Sequence, residues 1–157
     1  MGKTMFTLMV WTLISKAIGL QPGLERDWHW ITKPSVEICP DSDISVNQVI
    51  DVLEYWLERE VDVTIASIQK VKYCDETKFN VVQINGHIDF DLEKYHAMTD
   101  VKWHYYGIRN DDTIYYIDRV QIQLPNDILE NRTIVRHEFG HAMGLGHSDH
   151  PVMKKKH

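Results

Sequence analysis

The chain has 157 residues, with 17 Lys+Arg against 23 Asp+Glu for a formal charge of −6. That length is one domain at about 100–200 residues per domain, and a composition 43% hydrophobic and 25% charged is globular rather than disordered. An acidic balance without a basic block excludes a phosphate-tracking nucleic-acid binder, and two cysteines exclude both a disulfide-dense mini-scaffold and a four-Cys zinc site.

In chain order, Lys3 precedes a mostly apolar run over residues 5–14, followed by the small residues Ala17 and Gly19. Residues 1–19 fit a secretory signal cleaved after Gly19, which favours a secreted protein. The alternative is an N-terminal helix that packs on the domain. The uncharged run falls short of the roughly 18–20 residues needed to cross a bilayer, so no stable membrane span is expected. Trp28-His29-Trp30 reads as a packing or strand element rather than a binding platform.

Ser45 with Gln48 forms a capping box that opens a helix over about residues 45–59. Val46, Val49, Ile50, Leu53, Trp56 and Leu57 recur at helical spacing and define its apolar face. Alternation over residues 61–71 predicts a strand, and residues 79–88 predict another with Asn85-Gly86 as a turn or bulge. Two more strands, residues 101–106 and 113–124, flank a turn-rich segment over 107–112. A last helix is expected from about Glu130 to Met143. Helices and strands in this order predict a mixed α/β layer, an α+β fold, with the domain spanning residues 27–157.

Histidine is the compositional outlier, nine in 157 against roughly one in forty on average usage. Three of the nine lie in His137-Glu138-Phe139-Gly140-His141-Ala142-Met143-Gly144-Leu145-Gly146-His147. Histidines at i and i+4 stand on one helical face, so both imidazoles can reach one ion. Glu138 lies about 100° further round, beside a metal rather than on it. Gly144 stands where the helix must stop, since a left-handed residue is tolerated best when it is glycine. The chain can then return His147 to the same ion. Three imidazoles with a fourth position open is the donor set of a catalytic zinc. Five fixed positions over about 150 start points match by chance on the order of once in ten thousand. Ile134, Val135, Phe139 and Ala142 would hold the helix on the core.

The run His137 to His147 resembles the extended zinc signature of the metzincin metallopeptidases. With Ser148 after the third histidine it is most similar to the matrixin branch. The resemblance implies a metzincin-like domain with a twisted, mostly parallel sheet and two main helices. It further implies Met153 as the Met-turn methionine beneath the site, and one catalytic Zn2+ on His137, His141 and His147. The implied reaction is hydrolysis of peptide bonds in a protein or peptide substrate. Zinc activates a water and polarises the carbonyl, and Glu138 acts as general base and then general acid. Relatives hold the peptide extended along an edge strand, expected here within residues 101–106. A monomer is assumed. The alternative is a catalytically inactive, zinc-stabilised binding or structural protein derived from such a peptidase; retention of Glu138 speaks against it, because a structural zinc has no use for that carboxylate.

The sequence departs from the family after His147. Only five residues separate His147 from Met153, and Lys154-Lys155-Lys156-His157 follow, where matrixins continue with a pocket wall and a final helix. This C-terminally minimal pattern leaves three readings: a pocket built by other segments, an open and poorly selective one, or lost activity. His87, Asp89, His96 and His104 match the second matrixin zinc site poorly, so a second metal ion is not expected. His150 could compete with His147 as a ligand. The rest of the inhibitory cysteine motif is absent around Cys39, and Cys39 and Cys74 form a disulfide in an exported chain or two buried thiols otherwise. Asn131-Arg132-Thr133 is a glycosylation sequon at the start of the zinc helix, an awkward place for a glycan.

Overall fold

A computed structural model of the chain describes residues 24, 26–109 and 112–155. The expected signal segment 1–19 lies outside the described residues. The chain runs β1 (His29–Trp30), β2 (Ser35–Ile38), α1 (Val46–Leu57), β3 (Ser67–Lys70), β4 (Val81–Asn85), β5 (Met98–Arg109), β6 (Asp112–Gln123), a 3-10 turn (Asn126–Ile128) and α2 (Arg132–Ala142). This is the α+β arrangement expected from the sequence, a mostly parallel sheet with two helices.

Helix α1 begins as expected. The Ser45 hydroxyl accepts from the Gln48 amide at 3.0 Å, and the Gln48 side chain accepts from the Ser45 amide at 2.9 Å. Val49, Val52, Leu53 and Trp56 form its buried face. Ile50, expected there, is 37% exposed, and Val52 takes the inner position. The helix stops at Leu57 rather than at 59, and Glu60 adopts a left-handed φ of 67° immediately beyond.

The sheet is six-stranded, with β1, β6, β4, β2 and β3 joined by parallel pairings and β5 antiparallel to β6. Strand β6 carries β5 along one side and β4 and β1 on the other, so β5 forms an outer edge. The strand expected over 61–71 is only partly formed. Residues 61–66 are a loop, because the Asp62 carboxylate takes the Thr64 amide at 3.1 Å, a local turn that competes with ladder pairing. Val61 and Val63 still point into the core. Strand β2, bounded by Pro34 and Pro40, is too short and too interrupted by Glu37 to stand out in sequence, yet it is central.

Register explains which face carries the helices. Ile68, Val36, Val82, Val120 and Val101 lie side by side across five strands, and Ile38, Ile84, Ile122 and Thr99 form the next row. The apolar members join Val49, Leu53 and Trp56 of α1 and Val135 and Phe139 of α2 in one core. Thr99, at the end of its row, sits where the sheet edge meets α2. On the reverse face Glu37 and Gln83 are neighbours and both are buried. They are covered by the 74–78 segment: Lys78 pairs with Glu37 at 2.7 Å, and the Gln83 amide donates to the Asp75 carbonyl at 2.8 Å. A Cys39–Cys74 disulfide pins this segment, with Cα atoms 5.6 Å apart. No helix among the described residues is long and apolar enough to cross a membrane.

The disulfide closes a loop across a sequence separation of 35, worth about 3–4 kcal/mol by loop-closure entropy. Replacing both cysteines by serine should lower the urea midpoint by the corresponding amount; an unchanged midpoint would show that the Glu37, Gln83 and Lys78 contacts hold the segment unaided.

Candidate metal centre

Helix α2 is held at both ends. The Asn131 side chain caps its start by accepting from the Ile134 amide at 3.3 Å. At its end Met143 is followed by Gly144 at φ +102°, a backbone state that suits glycine. A Cβ on Gly144 would stand 2.1 Å from the Trp28 carbonyl oxygen, so this turn admits no larger residue. The Asp27 amide donates to the Gly144 carbonyl at 2.9 Å, and the Trp30 indole donates to the Ala142 carbonyl at 2.9 Å. The Trp28-His29-Trp30 segment seats the end of the helix, and Trp28 also lines a cleft beside the histidines.

The turn returns the chain to α2, and His137, His141 and His147 converge with one nitrogen each inside a common 4.8 Å. His137 Nε2 and His141 Nε2 are 3.0 Å apart. Two ligands of a tetrahedral zinc stand about 3.3 Å apart when each Zn–N bond is about 2.0–2.1 Å. The outer nitrogens are occupied: His137 Nδ1 donates to the Val152 carbonyl at 2.6 Å and His141 Nδ1 to the Leu145 carbonyl at 2.7 Å. Those bonds keep both Nε2 lone pairs turned inward, the tautomer a metal requires. Burial pushes the His141 imidazole down to about 4, and burial with the neighbouring His137 and Lys155 lowers His147 as well. Neutral imidazoles with inward lone pairs fit a zinc ion. His150 lies outside the group; its Nδ1 accepts from the Val152 amide at 3.3 Å.

Met153 is fully buried and its sulfur lies beneath α2. A Cβ at Gly140 would come 2.4 Å from that sulfur and 3.0 Å from Trp56, so glycine here is what lets the methionine approach. The short connection after His147 does not prevent this, because the Ser148 amide bonds the Met153 carbonyl at 3.1 Å and closes the loop. The same loop delivers the Val152 carbonyl to His137.

Glu138 is 7% exposed and faces the end of β5. Its carboxylate accepts from the Thr99 hydroxyl, which also lies 3.1 Å from the Glu138 main-chain oxygen. Burial pushes the Glu138 carboxyl up to about 7, with the Thr99 hydrogen bond opposing the shift; a nearby dication would favour its charged form. Thr99 was missed by sequence reasoning because nothing marks a lone threonine at the start of a strand as a partner of a motif 39 residues away.

Two clefts flank the histidines and share Thr99, His141 and His147. One, about 300 Å³, lies over Ile134 between residues 94–98 and residues 152–155. The other, about 420 Å³, runs past Val101 and Trp103 towards Asp27 and Gly146. Together they make one groove along β5, which extends from Met98, earlier than the expected edge at 101–106. Among the described residues the second histidine group does not assemble: His104 Nδ1 pairs with Asp118 at 2.6 Å.

His147→Ala should lower zinc affinity by at least a hundredfold in a chelator competition, while His150→Ala should leave it unchanged; the reverse pattern would make His150 the third ligand.

The sequence pattern of the matrixin family, a family of zinc metallopeptidases, matches residues 59–155. No curated protein and no solved structure matches the chain. The matched segment holds β3 to β6, α2, the three histidines and Met153, and by this match over more than half its length the chain belongs to the matrixin family.

Proposed function

We propose that the protein is a zinc endopeptidase in which His137, His141 and His147 hold the metal and Glu138 moves the proton. The observation that carries this reading is the placement of Glu138: a buried carboxylate next to His137 in the chain, lining the cleft over Ile134 together with the triad. Among the described residues no Lys or Arg pairs with it. Burying an unpaired carboxylate is costly, and a purely structural zinc gives nothing in return. The bound zinc would supply Lewis-acid polarisation of the scissile carbonyl and a water of lowered pKa.

The chain's own residues do the rest. A groove passing the triad on both sides favours cleavage within a chain, and the outer edge of β5 offers main-chain groups to an extended peptide. Glu138 takes the proton of the attacking water at its carboxylate and returns it to the leaving nitrogen, which needs a pKa near working pH. The Thr99 hydroxyl fixes the carboxylate rotamer for that transfer. The Cys39–Cys74 disulfide supports an exported protein, since such bonds persist in oxidising compartments.

The test is zinc-dependent cleavage of casein with a chelator control. Glu138→Ala should lower turnover by about a hundred- to ten-thousandfold with zinc content unchanged. Wild type that binds stoichiometric zinc yet cleaves no better than Glu138→Ala would sink the enzyme reading. Thr99→Val should lower kcat about tenfold, the loss of one hydrogen bond to a charged group, with KM unchanged, and Thr99→Ser should restore it. A Thr99→Val defect confined to KM would place Thr99 in substrate binding instead.

A further inference from the structure

We propose that the cleft over Ile134 selects an acidic side chain, so that the preferred cleavage sites carry a glutamate or aspartate next to the scissile bond. This rests on the peptidase reading above and names the substrate class of that site. The cleft wall is apolar along Met98, Ile134 and Val152, and its outer charges are two lysines. Lys94 comes from the segment before β5 and Lys155 from the segment after Met153, and both line the cleft. Both are exposed, and among the described residues neither forms an ion pair. Lys94 lies over the neighbouring Tyr95 ring, 5.2 Å from its centre, and its side chain is exposed. The rest of the polar lining is Tyr95, His96, Thr99, Thr133 and the three histidines, and among the described residues Glu138 is the one acid that lines it.

This local balance runs against the molecule, whose formal charge is −6. An acidic substrate is repelled by most of the surface and attracted here. Apolar wall with ammonium groups at exposed positions suits a carboxylate on an aliphatic stem. A basic side chain meets like charge from both lysines, and a neutral one forgoes the attraction. Each exposed ion pair is worth about 0.2–1 kcal/mol, so two give roughly a two- to thirtyfold preference.

The probes are peptides capped at both ends, identical except for Glu, Gln or Lys on either side of the scissile bond, so that a terminal carboxylate plays no part. With the zinc-loaded full chain, the Glu peptide should show kcat/KM about fivefold above its Gln counterpart, with the Lys peptide lowest. The preference should vanish in the Lys94→Ala/Lys155→Ala double variant and at about 0.5 M salt, where screening reaches a few ångströms. Thermal unfolding of that variant should match wild type, both side chains being exposed. Affinities of the same peptides for zinc-loaded Glu138→Ala, read by fluorescence anisotropy, should follow the same order. Equal handling of Glu and Gln in both assays, or a preference that survives the double variant, would overturn the proposal. A binding preference without any cleavage would overturn the peptidase reading and leave the acidic selectivity standing; neither binding nor cleavage of any peptide would overturn both.

Discussion

Two main-chain carbonyls set the geometry on which the metal centre depends. Val152 and Leu145 each accept the Nδ1 proton of a histidine, and in doing so fix the ring orientation and the tautomer of His137 and His141. Without these bonds the imidazoles of an exposed helix face rotate freely and present either nitrogen. The two carbonyls are placed by different devices. Leu145 follows the left-handed Gly144, and its own amide returns to the Gly140 carbonyl at 3.0 Å. Val152 precedes Met153, whose side chain is buried under the one position of α2 that lacks a Cβ. Gly140 and Gly144 thus serve the same end: the first lets the Met153 and Trp56 side chains, the second the Trp28 backbone, approach where a Cβ would stand.

That dependence explains what was legible in the sequence. The zinc helix and the ligand spacing were readable because helical periodicity converts directly into a shared face, and Gly144 marks its end. Helix α1 was readable for the same reason, strengthened by the Ser45–Gln48 cap. Strand β2 was not, since four residues with a buried glutamate give no alternating signal, and its identity comes from pairing with β3 and β4. Val61 and Val63 alternate like a strand but serve as anchors of a loop. The carbonyl partners of the histidines carry no side-chain signature at all, and Thr99 reaches Glu138 only because register sets it beside Ile122 at the sheet edge. Local pattern identified the histidine group, whereas long-range register supplies its support.

The sheet divides its labour between faces. One is a continuous apolar surface under both helices, and the Trp56 indole ties those helices together by donating to the Arg136 carbonyl at 2.9 Å. The other buries Glu37 and Gln83 beneath a segment clamped by the disulfide. A polar layer of this kind is stable only when each group is partnered, and the Lys78 and Asp75 contacts provide that. The clamp lies remote from α2, so its loss bears on stability rather than on the ligand geometry.

The histidine-rich end of the molecule also shows how the cleft beside the triad is walled. The cleft over Ile134 is bounded by residues 94–98, which lead directly into β5, and by residues 152–155, which follow directly from the Met-turn. Both walls are therefore extensions of elements already fixed by the metal centre: Thr99 by its bond to Glu138, and Val152 by its bond to His137. A wall anchored so close to the triad inherits its rigidity. The charges on that wall come with the same segments, since Lys94 and Lys155 lie within a few residues of these anchors. The cleft wall and the histidine group are thus coupled through the backbone, and a shift of either anchor would move both together.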